Sequence, residues 1–353
     1  MPSFRSGTVA ALREERAGLQ RVDVELDGVR EPAYVLTHLT GPVAVGDRVV
    51  VNTTAVELGL GTGGWHVVHW NLERRAWTET GPGHIMKSRY TSYQHDAGSA
   101  EEHDRELADV VSIDGMPVVA APLHSQLPAV AAGFKARRPD ARLAYVMTDG
   151  AALPLALSDL LVAVRAAGLI DLTVTSGHAF GGDFEAVSVH SALTVARYSG
   201  RADAAVVAMG PGIVGTDSRL GFSGIEVGPV LDAAAGLGGR PVAALRISFA
   251  DPRERHRGVS HHSLTALGVA TRSRVEVAVP TVGGVEERTI RADLGESGIG
   301  KLHDLVDVAP IGAVALLASH GLRVSSMGRP AADDPVLFEA AAAAGVLAAD
   351  RLP

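Results

Sequence analysis

Pro117–Met147 reads PVVAAPLHSQLPAVAAGFKARRPDARLAYVM. An apolar run, Pro117–Leu123, leads into a helix-like stretch, Gln126–Arg137, and then a second apolar run, Arg142–Met147. Strands covered on both faces read as unbroken apolar runs. Two such strands are joined by a right-handed crossover through a helix. The unit recurs downstream. Further strand-like runs are Leu172–Thr175, Ala204–Met209, Val242–Phe249 and Arg274–Val279. Helix-like stretches between them are Leu155–Ala167, Phe184–Tyr198, Gly224–Leu237 and His261–Ala270. Ser223 and Glu226 have capping-box spacing. About six such units are too few for an eight-unit closed barrel, so the expectation is an open, doubly wound, mostly parallel α/β sheet. Toward the C-terminus, Val285–Leu294 reads as a hairpin strand. Leu302–Val308 and Ile311–His320 read as helices, Leu322–Ser326 as a strand, and Pro335–Ala349 as an Ala-rich closing helix.

Upstream, residues 1–90 change character. Thr8–Leu12, Leu19–Leu26, Ala33–Leu39, Arg48–Val56 and Trp65–Trp70 are short strand-like runs. They are separated by turn residues at Asp27-Gly28, Gly41-Pro42, Gly46-Asp47 and Gly59–Gly64. This predicts a small β-barrel or sandwich, OB-like or SH3-like. Residues 91–114 form an acidic connecting segment, and 115–353 form the Rossmann-like α/β domain. Gly81–Gln94, with Lys87 and Arg89, reads as a linker or as a basic segment reaching toward a site.

Composition narrows the function classes. The 353 residues carry a net charge of −8 and no cysteine. Thiolate metal sites, disulfides and Cys nucleophiles are therefore excluded. An acidic chain with no basic stripe is not expected to bind nucleic acid in general. Apolar runs such as Ile311–Ala318 are too short to cross a bilayer, and the N-terminus lacks a signal-peptide core, so a cytoplasmic location without membrane partners is expected. The 46% hydrophobic content suggests a homo-oligomer.

In open parallel sheets, ligands bind beyond the carboxyl ends of the strands. Those ends carry His124-Ser125, Asp149, His178 with Asp183, Gly210-Pro211-Gly212 through Gly215, and the loop Arg253–His262. Five histidines fall there: His124, His178, His256, His261 and His262. Arg253, Arg255 and Arg257, with Arg219, offer planar grips for phosphate or carboxylate. Ser260 is placed to cap a helix, setting His261 and His262 in its first turn, where the helix dipole disfavours imidazolium. His178, His256, His261 and Asp149 are the candidates for acid–base or nucleophilic work. His178, Asp183, His261 and His262 are candidate ligands for a divalent metal, although no tight ligand spacing is present. Gly210–Gly215 matches G-x-G-x-x-G, but a turn-rich stretch follows and no acid stands about 20 residues on, so NAD is not expected. An anion-cradling loop formed by Gly210, Gly212 and Gly215 is the better reading. Together these residues suggest a small anionic, phosphorylated metabolite as ligand, handled by a hydrolase or transferase. The competing readings are a non-catalytic ligand-sensing or assembly module and a metal-dependent hydrolase.

Five stretches are distinctive enough to be compared as strings: GHIMKSRY (83–90), TDGAALPLALS (148–158), SGHAFGGDFEAVSVHSAL (176–193), AMGPGIVGT (208–216) and RISFADPRERHRGVSHH (246–262). The chain resembles an uncharacterised bacterial family, domain-of-unknown-function family 3866, through nearly its whole length. The resemblance implies no activity and carries over no catalytic residue.

Overall fold

The computed structural model describes every residue except Thr62 and Pro353, so the turn expected over Gly59–Gly64 lies partly outside the described residues. The chain divides into two compact units, Met1–Ala97 and Gly98–Pro353.

The first unit is a closed barrel of β1 (Phe4–Arg16), β2 (Leu19–Leu26), β3 (Val29–Leu36), β4 (Arg48–Asn52) and β5 (His66–Asn71). The order β1-β2-β3-β5-β4 closes on β1, and only β3 and β5 pair in parallel. This is the arrangement of a five-stranded Greek-key barrel, and it favours the OB-like expectation over the SH3-like one. Period-2 alternation points Val22, Val24 and Leu26, Ala33 and Val35, and Val49 and Val51 inward. The long β1 serves both neighbours, pairing with β4 over Phe4–Thr8 and with β2 from Thr8 onward, with register shifts beyond Val9. Gly7 sits where it switches partners. A Cβ there would lie 2.6 Å from the Glu25 carbonyl oxygen.

The second unit is a doubly wound α/β domain. Its eight strands are β6 (Pro117–Ala120), β7 (Leu143–Thr148), β8 (Leu172–Ser176), β9 (Phe184–Ala186), β10 (Ala204–Met209), β11 (Arg240–Ala243), β12 (Glu276–Pro280) and β13 (Asp304–Val308). They lie in the order β9-β8-β7-β10-β6-β11-β12-β13, all parallel. Helices α1 (Leu127–Arg137), α2 (Asp159–Ala166), α3 (Val189–Arg197), α4 (Val227–Gly236), α5 (His261–Thr265), α6 (Gly284–Ser297), α7 (Ala313–Ser319) and α8 (Pro335–Asp350) cover it. One core cluster joins α1, α2, α7 and α8 to one sheet face, and another joins α3, α4 and α6 to the other.

Several elements differ from the sequence reading. Two strands were not anticipated. Phe184–Ala186 pairs at the sheet edge before the helix begins at Val189, and Asp304–Val308 is a strand rather than a helix. Val285–Leu294 lies within helix α6 rather than a hairpin; Ile290 and Leu294, four residues apart, are its buried positions. The run Val242–Phe249 splits: Arg240–Ala243 joins the sheet, and Ile247–Ser248 pairs instead with Gly258–Val259. Of Leu322–Ser326, only Ser325–Ser326 is a strand. The Ser223–Glu226 capping box does not form. Ser223 Oγ bonds to Val214, and the Glu226 carboxylate accepts from Thr148 Oγ1.

Candidate functional site

Strands β6 and β10 are neighbours, but their connections leave on opposite faces, β6 through α1 and β10 through α4. The splayed loops open a crevice between them, the topological switch point of a doubly wound sheet. A cavity of about 520 Å³ lies there, lined by Leu123, His124 and Ser125 after β6 and by Gly210–Ile213 after β10. The start of α2 and the segment Gly321–Met327 complete its wall. Gly210 must be glycine, because a Cβ would come within 2.5 Å of the Ala152 carbonyl oxygen. Ser125 Oγ holds Ser326 Oγ at 2.9 Å, tying the β6 loop to the far wall.

His124 is anchored rather than free. Its Nδ1 lies 3.2 Å from the Met209 carbonyl oxygen and its Nε2 lies 2.7 Å from Ser158 Oγ. Nδ1–H donates to the carbonyl, so Nε2 accepts the Ser158 hydroxyl proton while Ser158 Oγ caps α2 through Leu161 N–H. Burial pushes the imidazole pKa down to about 4, against the pull of the Met209 carbonyl. His124 therefore shapes the cavity as a neutral ring.

A second, smaller cavity of about 60 Å³ shares Ile213 and Met327 with the first. Its walls bear Gly215, Thr216, Arg246, Arg253, Arg255, His256 and His262. Asp251 organises the cations. Its buried carboxylate accepts from Arg253 Nε (2.9 Å) and from Arg246 (3.2 Å). Burial pushes Asp251 upward, and the bonds from Arg253 with the charge of Arg246 more than reverse this, holding it below the usual carboxylate range. Burial also lowers Arg246 to about 10, with Asp251 opposing. Arg255 pairs with Asp217, which is 91% exposed in its side chain.

Three imidazoles converge beside this cavity. Ring centroids are 4.9 Å apart for His256–His261, 4.7 Å for His256–His262 and 4.3 Å for His261–His262. His256 and His262 are 1% and 6% exposed. Phe222 stacks on His262 at 3.8 Å with the planes 2° apart. His256 Nδ1 lies 2.8 Å from Ser260 Oγ. Ser260 caps the following helix through His262 N–H, and α5 runs on into a π-helical segment, Ala266–Ala270. Burial, then neighbouring arginines or histidines, pushes His256 and His262 down to about 3 and lowers His261.

The remaining candidates lie apart from this cluster. Asp149 Oδ2 accepts the His178 N–H at 2.9 Å, joining the ends of β7 and β8. Asp183 accepts from Thr173 N–H and pairs with Arg165. Its carboxylate thus serves the loop between β8 and β9, and neither His178 nor Asp183 belongs to the three-imidazole group. Arg219 and Arg257 are exposed and line neither of these two cavities. Three residues went unrecognised in the sequence. Arg246 is 2% exposed and stands in an otherwise apolar run, which is the signal that could have found it. Arg323 lines the larger cavity with no carboxylate partner among the described residues. Glu226, beside Thr148 and Asp149, is pushed up by burial to about 7.

No curated protein matches the chain. A family model described as "Protein of unknown function (DUF3866)" matches residues 32–345. Two of the strings that carry the resemblance, 208–216 and 246–262, supply nearly all of the smaller cavity and the Gly210–Ile213 wall of the larger, and by a match spanning most of its length the chain belongs to the DUF3866 family.

Proposed function

We propose that this protein binds a small metabolite with an anionic, phosphate-bearing end and acts on it as a hydrolase or transferase. The observation that carries the reading is the pair of cavities at the switch point. One is roomy and largely apolar, the other is small and lined by Arg246, Arg253 and Arg255, and they meet at Ile213 and Met327. The smaller volume suits a tetrahedral oxyanion, and guanidinium planes match its geometry. The larger suits the body of the ligand. The imidazoles beside the anion pocket are neutral, and a bound phosphate dianion would raise their pKa toward the range of a general base. Arg253 and Arg255 already have carboxylate partners, which favours a second reading, a non-catalytic sensor, in which ligand exchanges with those partners.

Phenyl phosphate and inorganic phosphate, titrated calorimetrically, test the proposal. Burial of the ring should make phenyl phosphate bind about tenfold more tightly than phosphate. Arg255→Ala should weaken both by about fivefold, since the exposed Asp217 pair yields readily. Absence of binding by either probe contradicts the proposal, and unchanged affinity in Arg255→Ala removes Arg255 from the site. Release of phosphate from phenyl phosphate separates an enzyme from a sensor.

A further inference from the structure

We propose that His256, His261 and His262 form a binding site for a divalent transition metal of the zinc type, with a fourth coordination position left open. One ring nitrogen of each residue can be chosen so that all three lie within 4.8 Å of one another. A modest inward movement brings such a trio to the spacing of a shared ion bound at about 2.0–2.1 Å per nitrogen. Three histidines and an open position is the ligand set of a catalytic rather than a structural zinc site.

Independent features support ligation over packing. The His261 Nε2 is buried with no hydrogen-bond partner, a costly state for a ring nitrogen unless something binds it. His256 Nδ1 lies 2.8 Å from Ser260 Oγ, and in the tautomer that donates Nδ1–H to this hydroxyl, the arrangement of a metal ligand and its outer partner, the Nε2 lone pair is available. Phe222 clamps the His262 ring by stacking. All three histidines come from one seven-residue stretch, His256–His262, whose middle is held by the Ile247–Ser248 pairing with Gly258–Val259 and by the Ser260 cap.

The surrounding charge defines the fourth ligand. Arg246 NH1 approaches His262 Nδ1 to 3.5 Å, and Arg253 and Arg255 line the same cavity as His256 and His262. Asp251 and Asp217 are the carboxylates paired with these three guanidiniums. A dication here is repelled unless an anion accompanies it, so the open position takes hydroxide or an oxyanion of the ligand. This inference rests on the imidazoles and not on the anion reading. Phosphate binding by zinc-free protein would leave that reading intact whatever zinc does.

The test uses untagged full-length protein, stripped with chelator and dialysed, titrated with zinc chloride by calorimetry and with cobalt(II) followed by visible absorption. Expected are one zinc equivalent at micromolar or tighter Kd and the intense visible bands of four- or five-coordinate cobalt. His261→Ala, folded by circular dichroism, should bind zinc at least tenfold more weakly, while His178→Ala binds as the wild type does. Absence of stoichiometric zinc binding, or only the weak bands of hexaaquo cobalt, overturns the site. Undiminished zinc binding by His261→Ala overturns it equally. If His261→Ala fails to fold, His262→Gln takes its place under the same criterion.

Discussion

Glu226 shows what a single residue adds that its sequence neighbourhood conceals. Its spacing from Ser223 suggested a capping box, yet its carboxylate faces Thr148 and Asp149 from the end of β7 and is pushed up to about 7 by burial, with Asp149 adding to the rise and Thr148 opposing it. Tyr145, buried in the same region, is raised in turn by burial and by Glu226. Because the folded pKa exceeds the unfolded one, the folded state holds this proton more firmly. The associated stability is complete below about pH 4.5 and is lost as pH rises through about 7. Glu226→Gln should therefore be more stable than wild type at pH 8, by up to about 3 kcal/mol, with the difference shrinking toward pH 5. Thermal melts of both proteins across that range check it, and parallel curves would contradict it. The candidate site was legible at this scale where chemistry gathers in one loop. His256, His261 and His262 come together as a cluster of arginines and histidines suggested. Arg246 stood out as a lone cation inside an apolar run, but its role was not legible, because only the fold brings Asp251 and His262 against it.

At the scale of elements, α1 and α8 touch backbone to backbone. A Cβ on Gly345 would lie 1.9 Å from the Val130 carbonyl oxygen, and one on Gly133 would lie 2.3 Å from that of Ala342. Gly345→Ala gains about 1 kcal/mol of helix propensity. Neither backbone can yield locally, so the helices must separate, at about 1–3 kcal/mol or more. The variant should melt lower by several degrees. Gly295 in α6 is the contrasting case, since nothing lies within 4 Å of its Cβ position. Gly295→Ala should stabilise by about 0.5–1 kcal/mol. Equal shifts in the two melts would refute this account of the helix contact. The apolar strands of the sheet were readable because burial on both faces writes unbroken runs. Asp304–Val308 was not, because it is the edge strand β13 and carries Asp304 and Asp307 on half-covered faces. Val285–Leu294 misled because α6 buries only Ile290 and Leu294, too sparse a stripe to announce a helix.

For the whole molecule, alternation of strand and helix implied a parallel sheet, but the order of strands was invisible. It arises from long-range packing: β10 inserts between β7 and β6, and this places the β6 and β10 loops side by side. That insertion creates the crevice, and it explains why His124-Ser125 and Gly210-Pro211-Gly212, some 85 residues apart, line one cavity. No helix among the described residues is long and apolar enough to cross a membrane. The central claim is that the two cavities at the switch point hold the two ends of one anionic ligand. The most direct measurement is a crystal structure of the protein with phenyl phosphate. The account predicts the phosphate against Arg246, Arg253 and Arg255, with the ring in the larger cavity beside Leu123 and Ile213. A ligand bound elsewhere, or a structure in which side chains close the crevice between the β6 and β10 loops, would contradict it.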